Sequence, residues 1–152
     1  MSTTITATEK KINKEEFIKE IIEDFRLVCI SREASLLGRK EVLTGKAKFG
    51  IFGDGKELAQ VAMSKFFNKG DFRSGYYRDQ TFMMAIGKLN VNQFFAGLYA
   101  HTNISKEPTS AGRQMGGHFS TSLLDNEGNW LDLVKLKNSS SDISPTAAQM
   151  PR

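Results

Sequence analysis

A single helical pattern, running from residue 14 to about residue 44, constrains this 152-residue chain more than any other feature. Phe17, Ile21, Phe25 and Val28 recur at the three-to-four-residue spacing that lines one face of a helix, and the stripe continues through Ala34 and Leu37. Asn13 followed by Glu16 resembles a capping box at the start, and Gly45 supplies a stop. One face of a helix of this length with an apolar stripe is expected to pack on something large.

The hydrophobic content of 39% over 152 residues suits one packed domain and no second core. Residues 1 to 12, rich in Ser, Thr and Lys, read as a disordered tail, leaving residues 13 to 152 as the domain. No window approaches the roughly 18 consecutive apolar residues of a membrane span, and Met1 to Glu9 lacks a leader's apolar core. A soluble, cytoplasmic protein is expected. The lone Cys29 excludes an internal disulfide, and its neighbours Val28 and Ile30 predict a small buried hydrophobe. The formal charge of +4 comes from 21 basic and 17 acidic residues interleaved along the chain, which describes a solvated surface. The cluster Arg39, Lys40, Lys46 and Lys48 has no interleaved aromatics for base stacking, so a small nucleic-acid-binding module is the alternative reading and a disfavoured one.

Beyond the long helix, Gly50 to Gly55 reads as a loop, and Leu58, Val61, Ala62 and Phe66 mark a second helix ending near Gly70. Residues 71 to 77 (DFRSGYY) read as a short strand, then Phe82 to Ile86 and Val91 to Tyr99 as two helices broken near Gly87 to Asn90. Residues 102 to 118 form a long loop. A turn at Asp125 to Asn129 precedes a strand at WLDLV, and Ser144 with Pro145 opens a last helix that the end at Arg152 cuts short. The chain is therefore expected to be truncated within an element.

Three places carry ligand chemistry. Tyr77 and Arg78, at a strand end, offer a hydroxyl and a guanidinium that suit a phosphate or carboxylate; the plain alternative is an ion pair of Arg78 with Asp79, and composition alone favours it. In residues 112 to 118 (GRQMGGH), glycines permit close backbone approach while Arg113, Gln114 and His118 supply polar groups, and the functional and structural readings of His118 balance. Ser144 to Gln149 is the third. Metal binding is not expected, because His101, His118 and Cys29 lack the short ligand spacing of zinc sites. Residues 53 to 55 fail the dinucleotide fingerprint at Leu58, and Asp54 and Glu57 suit a helix amino terminus.

Taken in order, SREASLLGRK, FGIFGDGKE, GYYRDQ, GRQMGGHF and SPTAAQMP resemble the alpha subunit of 2-oxo acid dehydrogenases, the decarboxylating component of the pyruvate and branched-chain complexes. The similarity covers roughly Glu16 to Arg152, and GRQM looks closer to the branched-chain type, 2-oxoisovalerate dehydrogenase. The resemblance implies an α/β thiamine-diphosphate-binding fold, here its amino-terminal portion: a long leading helix, further helices and a few strands of a parallel sheet. It implies thiamine diphosphate held through Tyr77 and Arg78, with Ser144 and Thr146 beside the aminopyrimidine and His118 facing the reacting centre as catalytic residue. It also implies magnesium whose ligands lie outside this chain, since Gly53 to Gly55 only imitates the family's metal motif, and no potassium-like ion is assigned because Ile143 and Ala148 replace hydroxyl residues. The partners implied are a beta subunit or fused beta domain in a heterotetrameric assembly, a lipoyl-bearing acyltransferase and a 2-oxo acid. The 152 residues alone are expected to have no turnover.

Overall fold

The computed structural model describes residues 13–68, 71, 73, 76–113, 119 and 129. Its elements are four helices, α1 (Lys14–Leu43), α2 (Glu57–Ser64), α3 (Gln80–Ala85) and α4 (Val91–Leu98). Among the described residues there is no strand, and no helix is long and apolar enough to cross a membrane. The strand predicted at residues 130 to 134 and the helix start at Ser144 lie outside the described residues.

The long helix forms where the apolar spacing places it. Asn13 caps it by accepting a hydrogen bond from the Glu15 backbone N–H at 3.1 Å, a simple cap. Its carboxyl end closes as a Schellman turn, with Gly45 at φ +77°, its N–H on the Val42 carbonyl and the Lys46 N–H on the Glu41 carbonyl, both at 3.0 Å. What α1 buries is not the large apolar stripe. Its buried residues are Ser31, Ala34, Ser35 and Gly38, which let α2, α3 and α4 approach the helix closely. At Gly38 a Cβ would lie 2.5 Å from the Phe52 ring, so glycine makes room for the loop between α1 and α2.

The core sits under the carboxyl half of α1. Phe82, Met83, Met84, Leu89 and Phe94 pack there with Ala34 and Phe119. Phe67 meets Phe82 edge-on, with ring centroids 5.1 Å apart at 83°. Polar groups cross the same seam. Gln80, 1% exposed, donates from Nε2 to the Ser31 carbonyl and to the Ser31 and Ser35 hydroxyls, while Ser31 and Thr81 share a hydroxyl contact of 2.7 Å. Satisfied in this way, the buried polar atoms register α3 against α1 at little desolvation cost.

Three local expectations are corrected. Tyr77 lies in a turn leading into α3 and not in a strand, because Asp79 draws the backbone round by accepting from the Tyr76 N–H at 2.7 Å. The second helix ends at Ser64, where the Ser64 hydroxyl turns back to the Val61 carbonyl. Cys29 is exposed, because the face of α1 that bears it points away from α2, α3 and α4.

Candidate functional site

The turn 76–79 is held from two sides by residues with no obvious signature in the sequence. Gly53, in the loop before α2, lies so close to it that a Cβ there would stand 2.4 Å from the Arg78 carbonyl oxygen. Gln60 of α2 donates from Nε2 to that same carbonyl at 2.9 Å and accepts the Phe82 N–H through Oε1, also at 2.9 Å. The Arg78 backbone is therefore fixed by α2 and by the loop 50–56. Its guanidinium lies over the Tyr77 ring, 4.9 Å from the centroid, a cation–π arrangement.

The ion pair anticipated between Arg78 and Asp79 does not form. Asp79 pairs instead with Arg73, at 3.2 Å, and no described carboxylate pairs with Arg78. Arg73 is 6% exposed and donates also to the Phe119 carbonyl at 3.0 Å, which ties the residue following His118 in sequence to the Tyr76–Asp79 turn. The only signal for Arg73 in the sequence is an arginine six residues before an aspartate. Tyr76 and Tyr77 share a hydroxyl hydrogen bond of 2.8 Å, and that bond raises the Tyr76 phenol above its ordinary range.

The loop before α2 is fastened by charge. Arg32 forms a two-pronged pair with Glu57, Nε to Oε1 at 2.6 Å and an NH2 nitrogen to Oε2 at 2.9 Å, while Gly55 donates its N–H to the same carboxylate at 2.9 Å. The Arg32 hydrogen bond, acting against burial, lowers the Glu57 carboxyl below the usual glutamate range. Asp54 receives Arg39 at 2.6 Å. These two carboxylates do more than favour a helix amino terminus: they pin the loop to α1.

A further organising carboxylate stands before the glycine-rich loop. Burial of Glu107 would raise its pKa, but the backbone N–H groups of Thr109, Ser110 and Gly112 and the Ser110 hydroxyl all donate to it, and the net effect is lowering. Gly112 adopts φ +76°, and a Cβ there would meet the Ala100 carbonyl oxygen at 2.4 Å. The segment entering the GRQMGGH loop is thus a built turn up to Arg113. His118, Ser144 and Thr146 lie outside the described residues, so of the five site residues named from sequence the described structure places Tyr77 and Arg78. No group of three or more His, Cys, Asp or Glu residues able to hold a metal occurs among the described residues.

The cationic cluster weighed for nucleic acid is partly consumed internally. Arg39 is paired with Asp54 and Lys46 with Glu41, the latter at 3.5 Å.

Compared with known proteins, the chain is 30% identical over 106 residues to the 2-oxoisovalerate dehydrogenase subunit alpha of Bacillus subtilis (strain 168). The match covers 66% of this chain and 30% of that protein, so the chain spans less than a third of its curated relative's length. No family model matches, and no solved structure matches.

Proposed function

We propose that the chain contributes part of the alpha component of a 2-oxo acid dehydrogenase of the branched-chain type. Such an assembly oxidatively decarboxylates a 2-oxo acid and passes the acyl group to a lipoyl-bearing acyltransferase. The observation that carries the reading is the 30% identity over 106 residues to a subunit bearing that name. The beta component, thiamine diphosphate and magnesium belong to the same proposal, on an α/β thiamine-diphosphate-binding fold.

The described residues fit the diphosphate end of the cofactor. Arg78 has a backbone anchored by Gly53 and Gln60, a guanidinium with no described carboxylate partner, and a tyrosine ring beneath it. Arginine presents several N–H donors in a plane and remains charged at any working pH, which suits phosphate oxygens. Tyr77 would stand beside it. Thiamine diphosphate, when bound, supplies the carbanion-stabilising chemistry of decarboxylation. The chain's part in the proposal is to bind and orient: Tyr77 and Arg78 at the phosphates, Ser144 and Thr146 near the pyrimidine, and His118 as the group that assists proton movement at the reacting centre. Nothing among the described residues favours the nucleic-acid reading.

The test is a calorimetric titration with magnesium thiamine diphosphate, made on the chain alone and on its assembly with the complementary alpha segment and the beta component. Binding in the assembly and not in the chain alone is the expected result. Arg78→Ala should then weaken cofactor affinity by about 10- to 100-fold, the worth of a hydrogen bond to a charged group at about 1.5–3 kcal/mol. An unchanged dissociation constant would remove Arg78 from the site. Failure of the completed assembly to bind the cofactor or to decarboxylate any 2-oxo acid would overturn the reading.

A further inference from the structure

Arg73 joins two segments that lie far apart in the chain. Its guanidinium, 6% exposed, donates through one terminal nitrogen to Asp79 Oδ2 at 3.2 Å and through the other to the Phe119 carbonyl at 3.0 Å, 46 residues away. A guanidinium taken out of water is costly unless its donors meet fixed acceptors. Both acceptors are fixed here. Asp79 Oδ2 also accepts the Tyr76 N–H at 2.7 Å, and the Asp79 carbonyl accepts the Met83 N–H at 2.9 Å at the head of α3. Phe119 is buried in the same core cluster as Phe82 and Phe94, so its side chain and its carbonyl are both held.

The two residues that Arg73 grips are the immediate successors of two residues singled out for their ligand chemistry. Asp79 follows Arg78 and Phe119 follows His118, and consecutive Cα atoms stand about 3.8 Å apart. Arg78 has independent restraints as well, since Gln60 and Gly53 reach its carbonyl from α2 and the loop before it. Loss of the Arg73 fork would leave those in place while taking a donor from the Phe119 carbonyl. We propose that Arg73 is a positioning residue: by holding Asp79 and Phe119 together it fixes the separation of Arg78 from His118, and so of the two ends of one site. The inference rests on the function proposed above, which gives Arg78 the diphosphate and His118 the reacting centre. It also depends on the planar fork of arginine, because lysine keeps the charge beside Asp79 without two nitrogens set to serve two acceptors.

A mutant cycle tests it, in the assembly of the chain with the complementary alpha segment and the beta component. Turnover of 2-oxoisovalerate and the calorimetric dissociation constant of magnesium thiamine diphosphate are measured for the unsubstituted chain, Arg73→Lys, His118→Ala and the double variant. Arg73→Lys should lower kcat by about tenfold or more, the scale on which a reacting group responds to misplacement. The dissociation constant should stay nearly unchanged, because Gln60 and Gly53 still anchor Arg78. In the His118→Ala background the lysine substitution should have no further effect on kcat, since the group it displaces is gone. An equal fall in kcat in both backgrounds would reduce Arg73 to a support of the fold and overturn the proposal. A kcat untouched by Arg73→Lys, or a dissociation constant that rises in step with the loss of kcat, would overturn it too. Should Arg73→Lys fail to fold, Asp79→Asn enters the same cycle, because it keeps an oxygen for the Tyr76 N–H and removes the charge that holds Arg73. An unsubstituted assembly that neither binds the cofactor nor turns over overturns the parent reading and this inference with it, whereas a working assembly with additive losses overturns this inference alone.

Discussion

From Ser31 to Gly38, α1 turns small and hydroxylated side chains toward its neighbours and buries them, whereas from Phe17 to Phe25 the same helix carries large apolar side chains and leaves them in solvent. Hydropathy alone would have reversed that assignment. The difference shows that burial follows the approach of a neighbouring backbone: three short helices gather where serine, alanine and glycine allow close contact, and the polar atoms they trap are satisfied by Gln80 and Thr81. The amino half has bulk enough for a core, but α2 lies along its flank with an apolar groove between them.

That contrast can be broken by substitution. Phe82→Ala, in the core beneath the carboxyl half, should cost about 3–5 kcal/mol, read as a lowered denaturant midpoint, and a small loss would show that the core lies elsewhere. Gln80→Leu retains the volume but strips the Ser31 and Ser35 hydroxyls of their donor, and should cost about 2–3 kcal/mol. If it proves neutral, the polar seam contributes register and no stability.

Acid sharpens the comparison. The folded-state pKa values of Glu57 and Glu107 are lowered, so each stabilises the fold fully above the unfolded glutamate value of about 4.3 and loses that contribution as pH falls through its lower folded-state value. The melting temperature should therefore drop below about pH 4.3, and Glu57→Gln should flatten part of that slope while lowering stability at neutral pH. A slope unchanged by the substitution would mean that the Arg32 pair does not bind loop to helix. The smallest effect belongs to the amino half: Phe17→Ser should shift stability by no more than about 0.5 kcal/mol. A larger loss would mean that Phe17 is covered in solution.

How much of this could be read in advance differs by element. The bounds of α1 followed from periodicity and its caps, and the pair α3 and α4 followed from two apolar runs parted by glycine and asparagine. The capping box of Asn90 and Gln93 on α4 was equally legible and was passed over. The turn at Tyr77 was misread as strand because aromatic residues favour strands locally, whereas the Asp79 carboxylate and the Gly53 contact that bend the chain act from positions outside the aromatic pair. At the candidate site, the residue types of Tyr77 and Arg78 were legible, but the exchange of Arg78 for Arg73 as the partner of Asp79 was not, since two arginines in one segment are equivalent until the backbone turns.

By itself the sequence determined the span of α1 and that helices follow it at α2, α3 and α4, because capping, propensity and periodicity are local interactions within a few residues of one chain segment. Only tertiary structure decided which face of α1 is buried, which arginine pairs with Asp79, and that Glu57 and Glu107 organise loops. Each of those outcomes depends on groups distant in sequence meeting at a few ångströms, where close packing and paired charge outweigh the hydropathy of any single residue.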